Sequence, residues 1–512
     1  MTIPQSRFNL AAYCLAENAA RRPGKTALVL AGGTSAQSLS YGEVDLAVRR
    51  LAAGFASLGL APGARVMIRR GNDLAYVLSF FALIAAGLVA LPASAQLTAE
   101  EVDFLLADSG AAAILCAQEI GAQEIGAQAI AASGVRVIDP AEWSRLAAFD
   151  PLPYAETVRE DPAYLIYTSG TASRPKGVLH AQRVILGRAP MLDHWLGLTE
   201  TDVVLHAGAM NWTYTLGVGL MDPSARGASA VLYNGPADPG VWPRLIAHHG
   251  ATLFAAVPGV YRQMLREKSC GRENLASLRH GLTAGEALAP ALREKFVERT
   301  GKPLYEALGM SEISTYISSG PDTPVRPGSP GKAQPGRRIA ILPLDQGEAP
   351  LAPGQSGLIA VHRSDPGLML SYWNRPEAEQ EVFRGDWFIG GDVAEIDQDG
   401  YFWLHGRRDD LMNAQGYRVS PAEVEAALSH APGVADVAVA ERKVRADVSV
   451  ICAFIVLAPG AKADEAALAG HCAQHLAGYK NPKHYVFLNS LPRTKNGKIA
   501  RRLLPEMGGV QI

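Results

Sequence analysis

Short apolar segments alternate with helix-like segments through the first half of this 512-residue chain. The strand-like runs are 65–68, 111–115 and 135–138, and the helix-like segments are 41–58 and 99–108. Strands that are separated by helices pair in parallel, because a crossover is needed to bring the chain back to the same edge of a sheet. The pattern therefore predicts an α/β fold built on parallel sheets.

The same alternation returns over 163–305 and predicts a second α/β lobe. Segment 328–392 is rich in glycine and proline with short β-like runs, as in a small β-rich unit, and a charged run at 407–410 then leads into a helix and further strands. We therefore expect a large N-terminal domain, 1–406, of two α/β lobes plus a β-rich unit. A small α+β C-terminal domain, 407–512, would follow, with a hinge near residue 409.

The most apolar segment, 76–91, is the one candidate for a membrane span. It is interrupted by Ser79 and Gly87, stopped by Pro92, and shorter than the roughly 20 residues that a span requires. It is therefore predicted to be a buried helix that runs into a buried strand.

Charge and cysteine content exclude several classes of protein. Lysine and arginine total 48 and aspartate and glutamate total 50, a formal charge of −2, so no global field attracts nucleic acid or anionic lipid. The five cysteines are odd in number and never form a CxxC pair, which argues against a disulfide framework and a zinc site. These features predict a cytoplasmic protein with no nucleic-acid partner.

A loop of small and hydroxyl residues, TSGTASRPKG at 168–177, directly follows an apolar strand. Small residues let backbone N–H groups approach phosphate oxygens, hydroxyls add donors, and a lysine supplies a mobile charge. The loop is not a Walker A motif, because Val178 follows Gly177. A solvated Ser/Thr loop is the alternative. The predicted phosphate-binding residues are Thr168, Ser169, Gly170, Thr171 and Lys176.

The loop resembles YTSGTTGxPKG, the phosphate-binding loop of the adenylate-forming enzymes, which comprise acyl-CoA synthetases, aryl-CoA ligases, adenylation domains and luciferases. Ala172 and Ser173 depart from that form, which stiffens the loop tip and removes one donor. Further blocks of the family follow in the expected order, so the resemblance covers essentially the whole chain. Its pattern is most similar to benzoate-type and medium-chain acyl-CoA ligases.

The later blocks carry the implied nucleotide site. Asp392, in a block that resembles WYRTGD with Gly390 in place of the threonine, would accept hydrogen bonds from the ribose hydroxyls. Leu308 stands where the family commonly has an aromatic that stacks on adenine. Beyond the loop, the resemblance implies ATP and AMP binding by Gly285, Glu286, Ala287, Glu306, Ala307, Leu308, Ser311, Asp392 and Arg407.

The resemblance implies three catalytic residues, Lys176, Glu312 and Lys498, with ATP, Mg²⁺ and coenzyme A as cofactor and co-substrates. When a carboxylate attacks ATP, two anions are forced together, so a hard cation held by Glu312 would neutralise the phosphates. Lys498, in a block that resembles PxTxxGKI, would offset charge that develops at the α-phosphorus. Without the resemblance, Glu312 could be a surface carboxylate at a helix start, and Lys498 a solvated residue in a basic tail.

The resemblance also implies two half-reactions. Acid and MgATP give an acyl adenylate and pyrophosphate, after which the small, mobile domain turns about Asp409, withdraws Lys498 and presents a thiol. Gly416, Tyr417 and Arg418 would line the pantetheine tunnel. Free CoA is the economical acceptor. Loading of a separate carrier protein, a catalytically silent nucleotide-binding protein and, remotely, a luciferase-like oxidation stay as alternatives.

The acyl pocket of the family is built partly from the segment that here reads HAGAMNWTY, 206–214. Its aromatics could form a flat apolar slot or could be ordinary core residues. No lysine or arginine lies within 208–223, so a second carboxylate would have no partner there. We expect an aryl or short-to-medium-chain monocarboxylic acid, and a monomer or homodimer. The expected pocket residues are His206, Trp212, Tyr214, Ala284 and Gly309.

Overall fold

The computed structural model divides into two compact units, Met1–Arg338 with Arg363–Phe383, and Ile339–His362 with Arg384–Ile512. The residues that it describes are 7–32, 37–117, 134–168, 175–236, 238–410, 412–414, 417–445, 448–493 and 499–508. The sequence boundary between 406 and 407 stays a prediction.

The first unit contains a mainly parallel sheet whose strands run in the order β2-β1-β10-β9-β11-β12-β13-β14-β15. Pairing is parallel from β1 through β13 and antiparallel for β2, β14 and β15. The strands are β1 (Thr26–Ala31), β2 (Gln37–Ser40), β9 (Val203–His206), β10 (Ser229–Tyr233), β11 (Leu253–Ala256), β12 (His280–Ala284), β13 (Leu304–Met310), β14 (Ser314–Ser318) and β15 (Gly331–Ala333).

A second sheet of this unit runs in the order β18-β8-β7-β4-β3-β5-β6. Strands β3 to β7 pair in parallel, and β8 and β18 add antiparallel pairs at one side. The strands are β3 (Arg65–Arg69), β4 (Val89–Ala93), β5 (Ala113–Cys116), β6 (Arg136–Ile138), β7 (Pro162–Thr168), β8 (Lys176–Ala181) and β18 (Ser371–Tyr372).

Helices cover both sheets of the first unit, as parallel crossovers require. They are α1 (Leu10–Arg21), α2 (Tyr41–Ala56), α3 (Leu74–Ala85), α4 (Ala99–Ser109), α5 (Pro140–Leu146), α6 (Val184–Gly187), α7 (Ala189–His194), α8 (Thr213–Leu216), α9 (Asp222–Arg226), α10 (Val241–His249), α11 (Pro258–Met264), α12 (Pro290–Thr300) and α13 (Pro376–Val382). A π-helical turn, Gly217–Met221, joins α8 to α9.

The second unit begins with β16 (Ile339–Leu342) and β17 (Gly357–His362). The chain re-enters it at β19 (Phe383–Arg384), and β20 (Trp387–Ile396) and β21 (Tyr401–Arg407) extend the antiparallel order β16-β17-β20-β21. The remaining elements are the hairpin β22 (Met412–Ala414) and β23 (Tyr417–Val419), the helices α14 (Pro421–Ser429) and α15 (Glu465–His475), and the sheet of β24 (Val434–Arg445), β25 (Val448–Leu457) and β26 (His484–Phe487).

Helix α3 is the apolar segment that the sequence singled out. Every side chain from Tyr76 to Ala85 is buried, and the chain continues into the fully buried strand β4. The predicted buried helix that runs into a buried strand is therefore confirmed. Among the residues that the structure describes, no helix is both long enough and apolar enough to cross a membrane.

All five cysteines are buried and none is in a disulfide. Burial raises the pKa of the Cys116 and Cys452 thiols to about 11, because the thiolate loses its hydration. The thiols are therefore protonated near neutral pH, and the prediction that they build no disulfide framework is confirmed.

The order in which consecutive strands are added to the sheet reverses at β9. Its neighbour on one side is β10, the next strand in the chain, and its neighbour on the other side is β11. The connections that leave the carboxyl ends of these strands therefore diverge, which opens a crevice where ligands bind in open α/β sheets. The carboxyl end of β9 is His206.

A fully buried ion pair connects the start of α7 to α9, the helix that follows the π-helical turn. Arg188, at the start of α7, donates two hydrogen bonds of 2.6 Å to the carboxylate of Asp222, which begins α9. Gly217 lies against the same guanidinium, since a Cβ there would be 2.1 Å from Nη2. Both charges are out of water, so each depends on the other for compensation.

We expect Asp222→Asn to destabilise the first unit by about 3–5 kcal/mol, because it leaves a buried arginine without its counter-charge. The exposed pair Arg226–Asp193 supplies a matched control, and Asp193→Asn should cost less than about 1 kcal/mol. Urea denaturation followed by tryptophan fluorescence measures both changes. Equal decreases in the free energy of unfolding for the two variants would contradict the expectation that the buried pair contributes more than the exposed pair.

Candidate active site

The glycine- and hydroxyl-rich loop connects two strands that pair with each other. Thr168, the last residue of β7, lies directly opposite Lys176, the first residue of β8. Gly177 is closely packed, since a Cβ there would lie 3.1 Å from Leu165 and from Trp373. The ladder thus holds both ends of the loop at one edge of the sheet. Ser169, Gly170 and Thr171 lie outside the described residues.

Lys176 and Glu312 lie on two sides of one tyrosine. The Lys176 ammonium is 5.4 Å from the centre of the Tyr372 ring, within the range of a cation–π contact. The Tyr372 hydroxyl donates a 2.7 Å hydrogen bond to Oε1 of Glu312. A cation and an anion that lie far apart in the sequence are therefore brought to the same place by β18.

Backbone pairing sets this position. Strand β18 pairs with β8, with Tyr372 opposite Val178, and the Met369 amide donates a 2.7 Å bond to the Glu312 carbonyl. Glu312 itself lies in the turn of the hairpin β13–β14 and not at a helix start. Gly309 permits the tight hairpin, because a Cβ there would approach the Ser314 carbonyl oxygen to 2.5 Å.

A buried histidine anchors the same turn. His180 donates from Nε2 to the Ser311 carbonyl at 2.8 Å, and its ring stacks on Tyr164 with centroids 4.7 Å apart. Burial lowers the pKa of His180 to about 4, so the ring is neutral at physiological pH. The imidazole therefore positions the turn that carries Ser311 and Glu312.

Residues Gly285, Glu286 and Ala287 form the Gly-Glu-Ala loop, which follows β12. The chain turns at Gly285, whose φ of +93° favours glycine. Glu306, on β13, lies beneath it and accepts a 2.8 Å bond from the Leu288 amide and a 3.0 Å bond from Arg293. Burial raises the pKa of Glu306, although Arg293 and the amide oppose that effect. Both carboxylate oxygens are thus engaged by protein, which makes Glu306 a support for the loop.

The positions beside this loop are small. Ala284 at the end of β12 lies opposite Ala307 on β13, and Leu308 lies opposite Ile317. Ala284 and Ala307 are both buried, while Leu308 is half-buried. The structure therefore brings together the predicted residues of this edge, including Gly285, Glu286 and Ala287 of the loop.

Two of the predicted acyl-pocket residues contact each other. His206 lies edge-to-face with Tyr214 at a centroid distance of 4.4 Å, and Tyr214 also stacks on Trp195. The Tyr214 hydroxyl donates a 3.2 Å bond to the Leu282 carbonyl on β12. Trp212 is half-buried at the start of α8. An aromatic wall thus lies beside the carboxyl end of β9.

In the second unit, Asp392 and Arg407 lie opposite each other on β20 and β21. Arg407 Nη1 is 3.4 Å from Oδ1 of Asp392 and donates a 2.5 Å bond to the Gly390 carbonyl. Gly390 and Arg407 thus fix the place of the Asp392 carboxylate. Lys498 and Gly416 lie outside the described residues, as do the side chains of Asp409, Tyr417 and Arg418.

The sequence alone does not indicate that Tyr372 and Arg293 belong to the candidate site. Neither belongs to one of the family blocks, and each reaches the site through pairing or packing between distant segments. The Trp-Asn-Arg sequence after Tyr372 gave no chemical signal. The sequence also gives no signal for the hydrogen bond between His180 and Ser311.

The chain matches a known enzyme family and known proteins over most of its length. Residues 15–373 match the model "AMP-binding enzyme" and residues 423–498 match "AMP-binding enzyme C-terminal domain". The benzoate–CoA ligase of Thauera aromatica is 32% identical over 513 residues, which cover 98% of this chain and 96% of the relative.

Solved structures are similar over the same extent. ATP-bound MatB from Rhodopseudomonas palustris has a TM-score of 0.90 at 28% identity and covers 98% of both chains. The anthranilate CoA ligase AuaEII in complex with anthranoyl-AMP has a TM-score of 0.88 at 28% identity, with coverage of 99% of this chain and 98% of that one. The predicted α/β fold class with a large N-terminal and a smaller C-terminal domain is confirmed. The chain belongs to the AMP-binding enzyme family and is an acid–thiol ligase.

Proposed function

We propose that this protein joins an aromatic carboxylic acid to coenzyme A in two steps that consume ATP. The observation that carries the proposal is the cluster of Lys176, Tyr372 and Glu312, next to the two ends of the phosphate loop. A positive charge and a carboxylate at one place are what binding of MgATP requires.

In the first step, a carboxylate oxygen of the acid attacks the α-phosphorus of ATP, and the bond to the β-phosphate oxygen breaks to release pyrophosphate. Lys176 would bind the phosphates electrostatically. Lys498 would stabilise the charge that develops at the α-phosphorus, a role that rests on the sequence block alone. The Glu306–Arg293 pair keeps the Gly-Glu-Ala loop in place beside the nucleotide.

Glu312 fits a magnesium site of the kind that nucleotide enzymes use. Mg²⁺ is usually held by one or two carboxylates together with substrate phosphates and water, and Glu312 offers one oxygen beyond the one that accepts from Tyr372. When bound, the ion would neutralise charge on the phosphates of ATP. Tyr372 would orient the carboxylate towards it.

In the second step, a thiol sulfur attacks the carbonyl carbon of the acyl adenylate and AMP leaves. CoA is the proposed acceptor, with Gly416, Tyr417 and Arg418 along its approach and Asp409 as the hinge. A separate carrier protein is the second candidate acceptor.

In the second unit, Asp392 and Arg407 would bind the ribose of the nucleotide, since the carboxylate oxygens of Asp392 can only accept hydrogen bonds.

An aromatic acid is favoured over an alkyl one by the residues of the pocket. Tyr214 is held between His206 and Trp195, which gives a rigid aromatic wall beside small residues at Ala284 and Ala307. Flat apolar walls bind aromatic rings with little loss of side-chain entropy. The benzoate–CoA ligase and the anthranoyl-AMP complex among the similar proteins support the same substrate class.

The five protonated thiols, none of them in a disulfide, favour a cytoplasmic location.

The decisive experiment measures pyrophosphate release with MgATP across benzoates and straight-chain acids from acetate to decanoate, with and without CoA. We expect an aromatic acid to turn over repeatedly only when CoA is present, and Lys498→Ala to abolish release. Release that stops at one equivalent with CoA would point to a carrier protein. No release with any acid would contradict the proposal.

The cluster itself gives a graded prediction. Glu312→Gln should lower kcat/KM for MgATP by roughly 100- to 1000-fold, because it removes a charge that acts on the phosphates. Tyr372→Phe keeps the ring beneath Lys176 but deletes the hydroxyl, and should lower it by roughly 10- to 100-fold, the value of one hydrogen bond to a charged group.

The exposed Tyr13 provides the matched control, and Tyr13→Phe should leave kcat/KM unchanged. A Tyr372→Phe variant with full activity would show that the tyrosine does not orient Glu312.

A further inference from the structure

His206 is a buried polar side chain that the fold does not use. It is only 4% exposed, and neither Nδ1 nor Nε2 has a hydrogen-bond partner. The two other fully buried histidines of this unit differ, since His180 donates to Ser311 and His280 contacts the Leu196 carbonyl at 3.0 Å. Burying polar atoms without partners costs free energy, so an apolar residue would serve the core better at position 206.

The position of His206 points to a ligand. It ends β9, the strand at which the order of the sheet reverses, and such carboxyl ends are where α/β sheets bind small molecules. Gly208 and Gly219 both pack against His206, since a Cβ at Gly208 would lie 3.0 Å from the ring atom Cε1 and a Cβ at Gly219 would lie 3.0 Å from the His206 Cβ. The ring is therefore held in one place by the backbone around it.

The sheet face beside His206 carries three alanines near its carboxyl edge. His206 lies opposite Ala255 on β11, and Ala255 lies opposite Leu282 on β12. Because side chains alternate along a strand, Ala284 shares the face of Leu282, and it lies opposite Ala307 on β13. Three alanines thus lead from His206 towards the hairpin that carries Glu312.

The imidazole offers both kinds of hydrogen bond. Burial lowers the pKa of His206 to about 3, so the ring is neutral with one N–H donor and one nitrogen acceptor. A hydroxyl or an aromatic amine can satisfy either nitrogen, whereas a bare ring or an alkyl chain satisfies neither. A second carboxylate would have no positive charge to meet at this histidine.

We propose that His206 selects the acid, by hydrogen bonding to a hydroxyl or amino group on the aromatic ring of the substrate. The inference rests on the proposed ligase function and narrows its substrate class to hydroxy- or amino-substituted benzoates. Tyr214 packs against the imidazole, and Ala255, Ala284 and Ala307 are small, so the ring of the acid would lie along this face with its substituent at His206.

The test compares kcat/KM for pyrophosphate release with benzoate, the three hydroxybenzoates and the three aminobenzoates. The native protein should prefer its best substituted acid over benzoate by roughly 10- to 100-fold, because benzoate leaves the buried nitrogens unsatisfied. His206→Leu should reduce that ratio to near one, mainly by lowering the value for the substituted acid. His206→Gln, which keeps a donor and an acceptor, should retain part of the preference.

His280→Leu is the matched control, because it removes a buried imidazole at the opposite, amino end of a strand in the same sheet. It should leave the order of preference among the acids unchanged. The thermal midpoint of His206→Leu should equal or exceed that of the native protein, which a structural role would not allow.

Two results would overturn the inference. A native preference for benzoate, or equal losses for substituted and unsubstituted acids in His206→Leu, would each do so while the proposed ligase function stands. Pyrophosphate release with none of the acids would overturn the proposed function and this inference with it.

Discussion

Parallel pairing of backbone strands is the constraint on which the rest of the first unit depends. Parallel strands that are joined by crossovers all end at one edge of the sheet. Residues that are far apart in the sequence therefore meet at that edge. His206, Ala284 and Ala307 share this edge because β9, β12 and β13 are parallel. The chemistry then depends on which side chain ends each strand.

The second sheet holds the two ends of the glycine- and hydroxyl-rich loop. Antiparallel pairs β7–β8 and β8–β18 hold both ends of the loop and bring Tyr372 between Lys176 and Glu312. Tyr372 thus makes two contacts of different kinds, with its ring towards the ammonium and its hydroxyl towards the carboxylate. The positions of the Lys176 ammonium and the Glu312 carboxylate are therefore coupled through one side chain.

The sequence predicted the classes of secondary structure well, because local patterns determine them. The helix at α2 and the buried segment at α3 followed from periodicity and length. It did not reveal that Glu306 is held by Arg293 and Leu288, or that His206 lacks partners, because burial and hydrogen bonding arise only when distant segments pack. Residues that matched a family block were found, and residues that support such a block from elsewhere, such as Tyr372, were not.

The burial of all five cysteines has a practical consequence for studying domain rotation. Protonated, enclosed thiols react slowly with maleimides, because the thiolate is the nucleophile. A cysteine introduced on the surface of each unit could therefore be labelled with fluorophores while the native five stay in place. Distance changes between the dyes would then test the rotation about Asp409 that the family resemblance implies.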